Sequence, residues 1–466
     1  MIGPWLRRQQ RRALLRRAGA VGVEQALRLS LQRAQGIAER ARQRSPAYRR
    51  LLLEHGISLV APLPPLAALP VLDKDCSFAR HPLEELAGGL RTQDIGQALT
   101  SSGRGGAVFG FKLSTRGEMR SARAAVDLGL QQMFRADERS TLVVNCLPMG
   151  VTFDAESATV ANVSVREDMA CALMQQLGPS YQQVVVCTDP LFVRRLLAHA
   201  EQIDLDWPRL RASMVLGEEM LVEPQRRFIA DALRITPGDG RLVVSSMGIG
   251  ELGLHLFFED AACIAVRQAL QAGARWPGLQ DLEDADGLPS LFCFDAQRCH
   301  VETVATDARG DGELVVTLLD PRTPLLLPRY ATGDLARLVP PACAAAACQS
   351  LGLPPPVLPW LLVHGRRRDR AAGRPSVERI KECLYADAAV ARRLTGAFRL
   401  QAEGQLLVQA ADACSDAELA TLEDSLSRQL AGLRQGSAAL QLVLRRPHDC
   451  GFGPPLDHER KFAYVE

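Results

Sequence analysis

Apolar residues near the start of the chain recur at helical spacing. Val21, Val23, Ala26, Leu27, Leu31 and Ala34 share one face and predict a helix over 20–47. Prolines at 62, 64, 65 and 70 then predict an extended linker running to Asp73-Lys74-Asp75. Further on, short apolar runs at 141–147, 183–187, 213–216 and 242–245 read as strands, separated by helical patterns at 164–177, 189–202 and 223–234. Such alternation predicts an α/β sheet with helices on its faces. From 290 to 340 the pattern turns to β, with strands expected at 291–295, 299–306 and 313–318 and turn material at Gly310-Asp311-Gly312. A proline-rich stretch precedes a short strand at 360–364, after which Gly365 to Arg370 carries charge and no apolar periodicity. Beyond it the order is helix (377–385), two strands (397–402, 405–410), helix (416–433) and strand (438–445). The expected fold is therefore α/β: a large N-terminal domain of mixed sheets with flanking helices over 1–365, and a small C-terminal α+β domain over 371–466, joined by 366–370.

Length agrees with this division, since 466 residues exceed what one hydrophobic core usually holds. A net charge of +2 gives no reason to expect a nucleic-acid partner. No run approaches the ~18 apolar residues needed to cross a bilayer. Arg7, Arg8, Arg11, Arg12, Arg16 and Arg17 lack the apolar core of a signal peptide and read as the solvated face of a helix. The 12 cysteines contain no C-x-x-C pair, as expected of reduced thiols in a cytoplasmic protein. Of 55 lysines and arginines only four are lysine, at Lys74, Lys112, Lys381 and Lys461. In so arginine-biased a chain, each lysine marks a place where a compact ammonium suits better than a planar fork.

Several segments carry candidate chemistry. Thr100-Ser101-Ser102-Gly103-Arg104-Gly105-Gly106 packs hydroxyls and glycines that let N–H and O–H groups surround a polyphosphate, with Arg104 as a charged fork. The same composition suits a flexible surface loop, and Lys112 lies too far along for a P-loop. Gly248, Gly250 and Gly253 match a dinucleotide fingerprint in isolation, but that motif needs a helix after it and an acid about 20 residues on. The residues after Gly253, Leu254-His255-Leu256-Phe257-Phe258, are β-like and argue against it. Tyr330-Ala331-Thr332-Gly333-Asp334 predicts a tight turn whose aspartate could accept hydrogen bonds from a ribose diol, or simply close a β-turn. His364 to Asp369 and the terminal Glu459-Arg460-Lys461-Phe462 complete the set.

Together and in this order, these segments resemble the adenylate-forming superfamily, in particular its phenylacetate–CoA ligase and coenzyme F390 synthetase branch. The resemblance extends from Ser45-Pro46-Ala47-Tyr48 and Leu69-Pro70-x-x-Asp73-Lys74 to Lys461, and 312–334 is its most specific piece. It implies a ligase that uses ATP and Mg2+ to activate a small carboxylic acid as its acyl-adenylate. The acyl group would then pass to the thiol of CoA or of the phosphopantetheine on an acyl carrier protein. It implies Ser101, Ser102, Gly103, Arg104, Gly105 and Gly106 as the phosphate loop, with Arg104 a catalytic cation. Gly217, Glu218, Ser246, Met247 and Gly248 would lie on the adenine side, and Glu251 would hold the metal. Asp334, helped by Arg366, would grip the ribose. Arg368 would be the hinge of a mobile C-terminal lid, and Lys461 the mobile lysine bridging carboxylate and α-phosphate. The acid would be aromatic or planar, with Asn145, Met149 and Phe153 in the region that lines its pocket. Attack of a carboxylate on the α-phosphorus brings two anions together, so the site must supply cations.

The chain departs from the family at Arg104 and Gly105, where the family has threonines, and at Met247, where it has an aromatic residue. Gly250 replaces a threonine and Arg368 the hinge aspartate. His255, Cys263, Cys343 and Cys348 lie where some relatives hold zinc, but their spacing lacks the close cysteine pair and reads as buried thiols. Transfer to an amine or protein side chain stays open, as do a catalytically degenerate nucleotide binder, Lys461 as an exposed tail residue, and a homodimer.

Overall fold

The computed structural model describes residues 6, 8–13, 21–100, 109–279, 287–370, 374–402, 404–411, 414–435, 438–449, 452 and 456–465. Among them, β1 (Ile95–Thr100) and β2 (Phe111–Thr115) form an antiparallel hairpin. The next strands are β3 (Thr141–Asn145), β4 (Thr159–Asn162), β5 (Gln183–Thr188), β6 (Ser213–Leu216), β7 (Val243–Ile249), β8 (Gly253–Phe258) and β9 (Ser290–Phe294). They are followed by β10 (Cys299–Val304), β11 (Gly312–Leu318), β12 (Tyr330–Val339) and β13 (Trp360–Arg366). Strands β3 to β13 build one 11-stranded sheet in the order β10-β11-β12-β13-β9-β8-β7-β6-β5-β3-β4. Strands β4 to β7 and β3 pair in parallel, whereas every pairing from β7 across to β10 is antiparallel. β7 thus belongs to both halves. A separate three-stranded sheet, β14 (Leu394–Leu400), β15 (Gln405–Ala410) and β16 (Gln441–Arg445), forms the core of a smaller C-terminal domain.

The inner parallel strands β3 and β5 read as largely apolar runs because both of their faces are covered, whereas β4 at the sheet edge is partly exposed. Leu142, Val144, Val184 and Val186 pack to one side, and Val143, Val185 and Val244 to the other. Helix α1 (Val23–Arg44) instead covers the antiparallel half, burying Ile37 and Ala41 in the same cluster as Leu314 and Val316. The long helix expected over 20–47 breaks at Ser45, whose hydroxyl accepts from Tyr48 N at 3.2 Å. Pro46 at the first helical position then starts α2 (Pro46–Glu54), so Ser45-Pro46 is a capping device.

Helices α3 (Arg116–Phe134), α4 (Ala261–Gln271) and α5 (Pro341–Ser350) add to the predicted elements. The periodicity of α3 is masked because Glu118, Asp127 and Gln131 are buried alongside Leu130 and Phe134. In α5 alanine and cysteine leave no polar face to contrast with the buried one. No helix among the described residues is long and apolar enough to cross a membrane.

In the C-terminal domain, α6 (Val377–Leu384) and α7 (Asp416–Leu430) flank the small sheet. Ser415 and Glu418 form a reciprocal capping box on α7. The chain end returns along β14, with Leu400 N donating to Tyr464 O at 2.8 Å and Leu400 pairing with Val465. That strand-like seat fixes the height at which Lys461 leaves the domain.

A buried charge network braces β7. Arg226 Nη2 lies 2.6 Å from Glu259 Oε1, Arg226 Nε 3.0 Å from Glu223 Oε2, and Arg267 Nη1 2.9 Å from Glu223 Oε1. Ser245 N donates to Glu259 Oε2 at 2.6 Å. Removing one member of such a network strands the opposite charge in a dry interior. Glu259→Gln is accordingly expected to lower stability by about 3 kcal/mol, measured by urea unfolding, with a weaker effect from substitutions at exposed Glu54.

Candidate active site

The site forms where β7 leaves the sheet. β7 and β8 are joined by a tight turn, Leu252 N donating to Ile249 O at 2.9 Å, so the glycines there belong to a hairpin and not to a dinucleotide loop. Glu251 sits at the hairpin tip with its side chain 4% exposed, and Lys74 Nζ lies 2.8 Å from its Oε1. Gly110 passes so close that a Cβ there would stand 2.2 Å from Glu251 Oε1, which only glycine avoids.

The sequence pattern places Asp334 in a turn; in the fold it lies inside β12. Between β11 and β12 the register runs from Val315↔Ala331 to Glu313↔Leu335, so extra residues bulge outward at Thr332-Gly333-Asp334. The bulge requires Gly333 at φ +77° and re-aims the aspartate toward the cleft. Arg366 Nε lies 3.2 Å from Asp334 Oδ1, and Arg366 Nη1 donates to Thr332 O at 3.0 Å. Asp334 Oδ2 is buried with no hydrogen-bond partner among the described residues. A buried, unpaired carboxylate oxygen is costly unless something else completes it, and a ligand hydroxyl would. Behind it, Asp311 joins Arg337 Nε at 2.7 Å and His364 Nε2 at 3.0 Å, tying the end of β13 to the turn before β11.

The C-terminal tail closes the cleft. Glu459 accepts from Met149 N at 2.9 Å and from Ser164 Oγ at 2.7 Å. Lys461 Nζ then lies 3.9 Å from Glu218 Oε2. Burial and the neighbouring Arg366 lower its pKa, while Glu218, Asp334 and Glu219 work to raise it. Beneath it Glu219 Oε2 receives both Lys381 Nζ and Tyr464 OH at 2.7 Å, and Lys381 sits 4.6 Å above the Tyr464 ring. Tyr464 is a site residue that motif reading missed; Glu219 follows Glu218 in the segment expected on the adenine side, and the rarity of lysine pointed to Lys381. All four lysines stand by carboxylates at this cleft or its rim, Lys112 meeting Glu118 at 2.9 Å.

Thr100, Glu251, Asp334, Arg366, Arg368 and Lys461 line one cavity of about 670 Å³. Ser101, Ser102, Gly103, Arg104, Gly105 and Gly106 lie outside the described residues. Glu218, Ser246 and Met247 line an adjoining pocket with Asp334 and Lys461. Glu218 also reaches a third, largely apolar chamber between α3 and the sheet, whose walls include Leu130, Met133, Phe134, Phe153, Val215 and His255.

Of the three residues expected around the acid, Phe153 lines that chamber, while Met149 lines the cleft near Lys461. Asn145 does not face it: the side chain is fully buried, and its amide donates to Val151 O at 2.8 Å and Asn162 Oδ1 at 2.7 Å. It shapes the loop after β3 instead. The cysteines regroup as well. Cys263 converges with Asp260 and Cys293, their ligand atoms within 4.8 Å of one another, and not with His255, Cys343 or Cys348. Asp260 caps α4 there, accepting from Cys263 N at 2.8 Å.

No family model matches the chain, and no curated protein matches it in sequence. Solved structures do share its architecture. A 2-hydroxyisobutyryl-CoA ligase in the postadenylation state, in complex with 2-HIB-AMP, superposes with a TM-score of 0.64 at 15% identity over 95% of this chain and 89% of that one. The same enzyme with 2-HIB-AMP and CoA in the thioesterification state gives 0.53 at 16% identity, over 94% and 89%. The acyl acid amido synthetase AtGH3.15 in complex with 2,4-DB gives 0.54 at 12% identity, over 96% and 90%. At these identities the likenesses show the fold and do not single out a phenylacetate branch. The chain has the fold of the adenylate-forming ligases, with its large mixed sheet and smaller C-terminal domain.

Proposed function

We propose that the protein is an ATP-dependent, AMP-forming acid ligase that converts a carboxylic acid to its acyl-adenylate and passes the acyl group to a thiol. The observation that carries this reading is the cavity on which Glu251, Asp334 and Lys461 converge, with Thr100 in its lining. The orphaned Asp334 Oδ2 fits one hydroxyl of a ribose, while Arg366 pairs with the other oxygen. Glu251 offers a lone hard oxygen donor, the kind of ligand Mg2+ takes together with phosphates and water. When bound, that ion would neutralise charge on the phosphates. Glu251 would exchange Lys74 for it, and the ammonium would turn to a phosphate oxygen.

In adenylation the acid's carboxylate oxygen attacks the α-phosphorus and pyrophosphate leaves. Lys461 would hold the carboxylate and a non-bridging oxygen together, and Arg104 would add charge at the phosphates. The 366–370 segment, with the exposed Arg368 in it, would act as the hinge by which the domain over 371–466 withdraws Lys461 for the second step. CoA is favoured as acceptor by the shared fold with a CoA ligase; carrier phosphopantetheine offers the same thiol chemistry. The apolar chamber with Phe153 supports an acid with a ring or other apolar body. The amido synthetase fold likeness supports an amine acceptor as the second reading.

Acid-dependent pyrophosphate release from ATP is the direct test, and its absence with any acyl or aryl acid removes the proposal. Glu251→Gln and Asp334→Ala should each slow release by about 10²–10³-fold. Lys461→Ala should impair release far more than thioester formation from supplied acyl-AMP; equal losses would assign Lys461 a folding role.

A pH profile adds an independent check. A lowered pKa means the ammonium persists only below that value, so adenylation should fall on the alkaline side before an ordinary lysine, near 10.4, would titrate. Lys461→Arg, which stays charged, should remove this alkaline limb while lowering the plateau.

A further inference from the structure

Among the polar residues that line the largely apolar chamber is a histidine that the adenylation chemistry does not employ. His255 projects from β8 with its backbone in the left-handed region at φ +53°, an uncommon conformation for a non-glycine residue. Its Nδ1 lies 2.9 Å from Ser246 Oγ, its ring stacks on Phe258 at 4.7 Å, and Arg298 holds its carbonyl at 3.2 Å. Nε2 has no hydrogen-bond partner among the described residues. On the facing helix, α3, the residue opposite is Gly129: a Cβ there would stand 2.7 Å from Nε2. Glycine is a poor residue for a helix interior, and its space here is taken by the imidazole edge. Burial, with the nearby Arg298, lowers the imidazole pKa to about 4, so the ring is neutral at neutral pH. Val126, Leu130, Met133, Leu254 and Phe258 form apolar walls nearby; Glu218, Ser245, Ser246 and Glu259 also line the chamber, and of these Ser246 is the one hydrogen-bonded to the ring.

We propose that His255, oriented by Ser246 and given room by Gly129, is a specificity-determining residue that selects acids carrying a neutral hydroxyl on an otherwise apolar body. This rests on the ligase reading for the chemistry, though not for the binding. A hydroxyl satisfies either tautomer of a neutral imidazole, because it both donates and accepts. A methyl or hydrogen in its place leaves Nε2 desolvated and unpaired. A second carboxylate would be buried against a neutral ring in a chamber whose charged lining, Glu218 and Glu259, is acidic, so dicarboxylic acids are disfavoured.

The test compares matched acids, the hydroxybenzoates against benzoate and the methylbenzoates, and hydroxybutyrates against butyrate. Two readouts are taken on the full chain: pyrophosphate release, and direct acid binding by titration calorimetry. The preferred hydroxylated member of a pair should lead its plain partner by about 10–100-fold in kcat/KM and in affinity. His255→Leu should collapse that ratio toward one, and Gly129→Ala should reduce it, with folding verified by melting temperature. No hydroxyl preference in the wild type, or a ratio unchanged in His255→Leu, overturns the proposal. If no acid releases pyrophosphate while hydroxylated acids still bind more tightly to the wild type than to His255→Leu, the chamber's selectivity stands and the ligase reading falls.

Discussion

Glu259 holds together the two halves of the sheet at the point where everything functional emerges. Its carboxylate takes the Ser245 N–H on one oxygen and Arg226 on the other, in an interior that water does not reach. β7 is parallel to β6 and antiparallel to β8, so it is the strand at which the sheet changes sense. In setting the register of this seam, the ladder bonds and the apolar packing of Val243, Val244, Ile249 and Phe257 are joined by the buried brace. With it, Ser246, Met247, Gly248 and Glu251 are presented along one edge of the cleft. Ligand sites in α/β sheets favour such switch points because diverging connections leave a crevice beyond the strand ends.

Charge is arranged around that crevice in pairs. Lys74 stands on Glu251, Lys461 near Glu218 and Lys381 on Glu219, each ammonium reaching a single carboxylate oxygen. A compact ammonium can leave one oxygen for another without losing a bidentate geometry, whereas an arginine fork would lose two bonds. That distinction explains why a chain so rich in arginine keeps lysine here. The deepest pair, Lys381 with Glu219, is joined by Tyr464 and fastens the C-terminal tail to the large domain. The more exposed pairs are the ones an incoming polyanion would rearrange.

The tail and the chamber solve separate problems on two sides of Glu218. On one side, β14 carries the chain end so that Lys461 arrives beside Asp334 and Arg366. On the other, α3 walls off an apolar space whose polar content is confined to a few side chains. A reacting carboxylate can then meet cations at one end while the rest of the acid is judged by shape and by hydrogen bonding.

The inner strands of the parallel half were legible in the sequence because burial on both faces writes an unbroken apolar run; the edge strand β4, exposed at both ends, was not. The amphipathic helices were legible for the related reason that one face meets the core. The Gly-x-Gly hairpin, the Thr-Gly-Asp segment and the lone terminal lysine could be read as candidates because such residue types at such spacings serve few purposes. Helix α3 could not, since buried Glu118, Asp127 and Gln131 hide its apolar face, and Asn145 was misread because only its partners reveal that its amide is already spent. What the fold alone decided were pairings between residues distant in the chain: Lys74 with Glu251, Lys381 with Glu219, Gly129 with His255. Local pattern records how each segment meets water or core, and for that a sequence suffices. Which two buried polar groups face each other depends on how the segments are stacked, and only the tertiary structure holds that information.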